Sequence, residues 1–143
     1  MMKNGTFQKV EKSEKILFGP RAALVCGFEP EAREIITGFF KVIEVKDLPL
    51  VFPANTDGET SLLDLLSRPD QSGRGLSSGL DCAIILAGIT ENELHRILSA
   101  FRGLGLPRPF WATLTPISQT WTLSALIAEL KKERAAMEKR KQD

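Results

Sequence analysis

The chain has 143 residues, of which 43% are hydrophobic and 26% charged, with 19 Lys and Arg against 18 Asp and Glu and one His. That length suits one domain with a single core, and no apolar run approaches the roughly 20 residues of a membrane span. The composition excludes a transmembrane or disulfide-scaffold protein and matches a soluble globular one expected in the cytosol, because the N-terminus lacks a secretory apolar core and two cysteines form no framework.

Charge is uneven along the chain. Residues 1–21 carry five Lys or Arg against two Glu, residues 129–143 carry six against four acids, and the body between is net negative. Basic ends can attach to nucleic acid or to acidic surfaces. The C-terminal run ELKKERAAMEKRKQD mixes both signs as a solvated helix face does, so nucleic-acid binding is not expected from it.

Residues 1–21 are expected as a mobile N-terminal tail. RAALVCGF then reads as a buried strand closed by Gly. Behind it, Pro30 suits a first helical turn, and Ala32, Ile35, Ile36, Phe39 and Phe40 form an apolar stripe at helical spacing. LPLVFPANT is a second extended segment, and SLLDLLSR a short helix starting near Ser61.

RPDQSGRGLSSGLD is rich in Gly, Ser, Pro and Asp, and residues 69–81 are expected as a flexible linker. Beyond it the pattern returns with an offset of sixty-one residues: DCAIILAGI as strand, then Leu94, Ile97, Leu98 and Phe101 as stripe, with Thr90 and Glu93 forming a capping box. PFWATLTPIS is extended, and a long helix starts near Thr122, with Leu123, Leu126, Ile127 and Leu130 as its stripe and Met137 prolonging it.

The predicted architecture is therefore an α/β (α+β) sandwich. Two β-α-β-α pseudo-repeats, 22–68 and 82–143, form one domain over 22–143 and share one four-stranded sheet. A unit of about 60 residues buries too little to be securely stable, and duplication supplies the missing half. The favoured topology is ferredoxin-like with four helices, its Gly-ended strands antiparallel at the centre so that Cys26 faces Cys82 and Arg21 faces Ala87. The alternative is a parallel three-layer α/β/α sheet, which would separate the cysteines by roughly 15–20 Å. CAIILAGI is apolar on both alternating faces, so helices or a partner subunit are expected to cover both sides of the sheet.

No constellation in the chain carries recognised chemistry. One His and two cysteines outside CxxC spacing predict no metal site, and neither GxSxG, a Walker A pattern nor GxGxxG occurs. No cofactor is expected. His95 flanks its helix stripe in a structural role, Cys26 belongs to a central strand where a thiol is unreactive, and GRGLSSG lacks the strand and helix that would make it a phosphate cradle. Helix starts carry Glu29, Glu31, Glu91 and Glu93, which disfavour anions. The central strands ALVCG and AIILAG lack the aromatics on which an RNA-binding sheet stacks bases.

The densest local signal is WATLTPISQTWTLSALIAEL. Trp111 and Trp121 are expected to fill the core where strand, turn and last helix meet, or else to leave one indole exposed as a contact anchor. Thr115, Pro116, Ser118, Thr120 and Trp121, with Asn55 and Thr56 in the first half, are the candidate ligand or partner site.

Gly88, Leu114, Thr115, Pro116, Trp121, Thr122 and Leu123 carry a resemblance. Over residues 83–133 the chain resembles the prokaryotic domain-of-unknown-function family 3783 (DUF3783), whose members share a Gly-ended strand, an amphipathic helix, a strand ending in Leu-Thr-Pro and a Trp-Thr-Leu helix start. The resemblance implies a scaffold and brings no activity with it. The expected function is a non-catalytic regulatory or protein-interaction module that forms a homodimer or binds a protein partner through its C-terminal helix. The alternative is a small-molecule-binding domain or weak enzyme with its site at the Thr115–Trp121 turn.

Overall fold

The computed structural model describes residues 14–76 and 79–142. Most of the expected N-terminal tail, residues 1–13, and the linker residues Ser77 and Ser78 lie outside the described residues. Four strands form one open sheet: β1 (Ala22–Cys26), β2 (Leu50–Val51), β3 (Ala83–Ala87) and β4 (Phe110–Thr113), in the order β2-β1-β3-β4. Four helices, among the described residues, alternate with them: α1 (Pro30–Val42), α2 (Leu62–Leu66), α3 (Glu91–Phe101) and α4 (Leu123–Gln142).

The fold is a mixed α+β domain. β1 and β3 are antiparallel at the centre, and each edge strand runs parallel to its inner neighbour. This departs from the ferredoxin-like order, in which the strand reached through each helix lies one position further away and every neighbour is antiparallel. Here α1 and α3 each return the chain directly beside the strand it left. The parallel alternative fails as well, at the β1–β3 pair, although its three layers are present.

Those layers follow from strand parity. Ala23, Val25, Ile84 and Leu86 face a core shared with Ile36, Phe39, Ile97 and Phe101 of α1 and α3. Ala22, Leu24, Cys26, Ala83, Ile85 and Ala87 face the opposite core, with Leu62 and Leu65 of α2 and Leu123 and Leu126 of α4. Cys26 lies opposite Ala83, and Ala22 opposite Ala87, one residue from the expected register. Directly opposed residues must share a face; with Cys26 opposite Cys82, Leu24 would meet Ile84, which belongs to the other layer.

The helices start where the sequence places them. Ser61 accepts the Asp64 N–H, and Thr90 and Glu93 exchange their capping bonds at 2.9 and 3.0 Å. Their buried stripes are narrower than expected: Ile35 and Leu98 are exposed, while Arg33 is buried, donating to the Phe28 carbonyl with its guanidinium over the Phe52 ring. The two indoles do not share one core. Phe110 and Ala112 face α4, so parity turns Trp111 to the α3 side, where it meets Phe101 edge-on at 5.1 Å, and Trp121 stays about a third exposed.

Ahead of β1, the chain is tied to the far end of β3. Ile16 bridges Thr90, and the Leu17 N–H donates to the Ile89 carbonyl at 2.8 Å. Arg21 then spans from the start of β1 to the α3 cap, its Nη1 and Nη2 donating to Glu93 at 2.7 and 2.6 Å.

Candidate functional site

The two edges of the sheet differ. Along β2, Leu50 and, just past the strand, Phe52 turn backbone polar groups outward, and the segment 70–72 meets them: the Leu50 N–H donates to Asp70 Oδ1 at 2.8 Å, the Gln71 N–H to the Leu50 carbonyl at 2.6 Å, and the Phe52 N–H to the Ser72 carbonyl at 2.8 Å. Gly73 follows with φ +79 in a place where a Cβ would overlap the Phe52 carbonyl. The linker therefore runs as a cover along β2.

In β4, Phe110 and Leu114 donate inward to the Cys82 and Leu86 carbonyls at 2.9 Å each. Alternation then directs the N–H and C=O groups of Trp111 and Thr113 outward, where they have no partner among the described residues. Trp111 occupies the same position as Leu50, since β1 and β2 pair at Ala23 and Leu50 while β3 and β4 pair at Ile84 and Trp111.

Helix length explains the difference. After α2, Ser67 is the C-cap and Pro69 prevents continuation, so the chain turns back along β2. TLSALIAELKKERAAMEKRKQ contains neither Pro nor Gly, and α4 continues to Gln142. The residues that could have covered β4 remain helical instead.

A hollow flanks β4 on each side of the sheet. The one toward α3, about 490 Å³, is lined by Leu98, Phe101, Arg102, Leu106, Arg108 and Trp111. The one toward α4, about 370 Å³, is lined among others by Phe110, Leu130, Glu133, Arg134, Met137 and Glu138. Arg134 lies 3.8 Å over the Phe110 ring and donates to the Pro109 carbonyl at 3.3 Å, which fixes the overhanging end of α4 beside the strand. Arg102 and Arg108 are exposed and form no ion pair among the described residues.

The turn expected as a site is closed on itself. Ser118 Oγ accepts the Thr115 N–H at 3.1 Å, Thr115 Oγ1 accepts the Ser118 N–H at 3.0 Å, and the two hydroxyls lie 3.1 Å apart. Pro116 offers its carbonyl to Gln119, and Ser118–Thr120 form a short 3-10 turn. The Trp121 carbonyl accepts the Leu62 N–H at 2.9 Å, tying the start of α2 to that of α4. Asn55 and Thr56 belong to a separate 3-10 turn, where Asn55 packs against Gly79. Thr115 and Ser118 are thus brought together, and Asn55 and Thr56 belong to the other turn.

The signal that could have pointed to the β4 edge is RGLGLPRPFW, with two arginines and two prolines before an apolar strand. Prolines keep the approach to β4 out of regular pairing, and the arginines stand at the mouth of one hollow.

Burial pushes the Cys26 thiol far up, and burial with Asp81 nearby raises Cys82, whose Sγ donates to the Gly27 carbonyl. Among the described residues no three His, Cys, Asp or Glu side chains converge as a metal would need, and no helix is long and apolar enough to cross a membrane. The Arg21 hydrogen bond holds the Glu93 carboxyl below the usual range, with the Thr90 N–H acting in the same direction. A carboxyl depressed in the folded state stabilises fully above its unfolded pKa of about 4.3, and the contribution is lost as pH falls through the folded value. Urea titrations between roughly pH 2 and 6 should therefore show an acid limb that Glu93→Gln flattens, and an unchanged limb would remove Glu93 from the acid response.

The fold is a mixed α+β domain in which one sheet edge is covered and, among the described residues, the other is open. The family model of a domain of unknown function (DUF3783) matches residues 83–137, a segment running from β3 through α3 and β4 into α4, and so containing the open edge. Neither the curated proteins nor the solved structures compared with the chain contain a match.

Proposed function

We propose that the chain is a non-catalytic cytosolic protein-interaction or regulatory module that works through the edge of β4 and the overhanging end of α4. The observation that carries this reading is the contrast between the edges: the outward N–H and C=O of Leu50 and the N–H of Phe52 are satisfied within the chain, and the outward groups of Trp111 and Thr113 have no partner among the described residues. Open edges recruit strands. The exposed Met137 and the apolar walls of both hollows extend that surface, on which another protein or a second copy would close beside the C-terminal helix.

Internal duplication is the proposed origin of the architecture. Its support is the sixty-one-residue correspondence between β1–β2 and β3–β4 pairing, and the exchange in which Leu62 donates to Trp121 and Leu123 to Thr60, at 2.9 and 3.1 Å. The pairing of Ser61 with Thr122 falls on the same relation. On this reading the two halves diverged at their edges, one retaining a cover and the other a long helix.

A small-molecule site at the Thr115–Trp121 turn would have to open the bonds that Thr115 and Ser118 make to each other, which favours the interaction reading. A photo-crosslinking side chain placed at Met137, in the cells that make the chain, is expected to capture a protein, whether this chain or another. One placed at the exposed Val42 is expected not to. Equal yields at the two positions would overturn the proposal.

A further inference from the structure

The chain carries its own example of what an edge in this fold accepts. Segment 70–72 runs beside β2 in the same direction as the strand, and it begins with a carboxylate, Asp70 Oδ1, that takes the outward N–H of Leu50. The backbone of Gln71 and Ser72 then completes the bonds to Leu50 and Phe52. Trp111 and Thr113 present the same outward groups in the same register and lack such a cover among the described residues.

Charge around the open edge differs in the same sense. Arg102 and Arg108 stand beside Trp111 at the hollow, unpaired among the described residues, where the corresponding positions sixty-one residues earlier are Lys41 and Asp47. Across the strand, Arg134 is held over Phe110. The two hollows lie on opposite faces of β4, so alternate side chains of an added strand would enter one and then the other.

We infer that β4 receives an extended segment of a partner protein that runs parallel to it. The segment's acidic residue takes the Trp111 N–H beside Arg102 and Arg108, and apolar residues fill the hollows on either side. This rests on the interaction reading and adds to it the partner's conformation, direction and charge. The carboxylate supplies what Asp70 supplies to Leu50, and the arginines favour an acidic segment over a basic one at encounter as well as when bound.

The probe is a fluorescein-labelled synthetic peptide, Ser-Pro-Asp-Val-Thr-Val-Thr with both termini blocked, compared by anisotropy with its counterpart carrying lysine for the aspartate. The full chain should bind the aspartate peptide about tenfold or more tightly at low salt, with the preference shrinking as salt is raised. Arg102→Glu combined with Arg108→Glu should reverse the order of the two peptides, and both positions are exposed, so the fold is retained. Thr113→Pro removes an outward N–H and no ladder bond, so it should abolish binding of either peptide. Equal binding of the two peptides, or no binding by a monomeric chain, would overturn the inference. A wild-type dimer that ignores peptide and becomes monomeric on Thr113→Pro would assign the edge to a second copy, ending this inference while leaving the interaction reading intact. Peptide binding that Thr113→Pro does not diminish would overturn both.

Discussion

Replacing Gly88 by alanine is expected to destabilise the domain by about 3–5 kcal/mol, and Gly27→Ala by a similar amount. Both glycines have positive φ, +66 and +80, which an L side chain enters at a cost of about 1–2 kcal/mol. Space is the larger difficulty. A Cβ on Gly88 would stand 2.5 Å from the Arg21 nitrogen and 2.7 Å from the Gly19 carbonyl oxygen, and one on Gly27 would stand 2.5 Å from the Leu80 carbonyl oxygen. These neighbours are backbone, so relief requires the incoming segment to move away from the sheet. Gly38, inside α1 with nothing within 4 Å of a built Cβ, is the control: alanine there should stabilise by roughly 0.5–1 kcal/mol. Urea denaturation of the three variants measures all of this. A Gly88→Ala protein within about 0.5 kcal/mol of wild type would mean that residues 19–21 do not lie against that turn.

Those glycines also show what the sequence does and does not disclose. Each could be read as a strand end, because an apolar run stops there and a helix follows. The reason it must be glycine is a chain segment arriving from a distant part of the sequence, 19–21 in one case and 80–81 in the other, and no local pattern encodes that approach. Periodicity placed the helices, whereas the direct pairing of β1 with β2 and of β3 with β4 departs from the expected ferredoxin-like sheet. Strand order was hidden, because strands buried on both faces look alike whatever lies beside them. The register could have been reached, since the offset and the alternation together exclude a Cys26–Cys82 pairing.

The candidate site was less legible. Gly, Ser, Pro and Asp in 69–81 signal an irregular backbone, and irregular backbone is what lies along β2; composition does not say where it rests. The hydroxyls of Thr115 and Ser118 attracted attention as possible ligand contacts, whereas they satisfy each other within a turn. That no described residue covers the edge at Trp111 and Thr113 depends on α4 failing to stop, a property of twenty residues in series, Leu123–Gln142, and of no single one.

Ile84→Ala and Ile85→Ala should each cost about 3 kcal/mol, within the range for truncating a fully buried aliphatic side chain where the surroundings collapse only in part. The two residues are adjacent in β3 and point to opposite cores, Ile84 toward α1 and α3 and Ile85 toward α2 and α4, and both are fully buried. A two-layer sheet would leave one face open to water, and truncation on that face would fall within about 0.5 kcal/mol of wild type. Similar losses at both positions therefore test whether α2 and α4 cover the second face. The short α2 contributes Leu62, Leu65 and Leu66 to that cover, and the first turns of α4 contribute Leu123, Leu126 and Ile127. Beyond Leu130 the helix leaves this core and lies along the β4 hollow. Substitutions in its first turns should consequently behave like Ile85→Ala, whereas Met137→Ala, on an exposed side chain, should leave stability within about 0.5 kcal/mol of wild type. If Met137→Ala cost as much as Ile85→Ala, the distal helix would belong to the core, and the surface proposed for binding would be part of the fold.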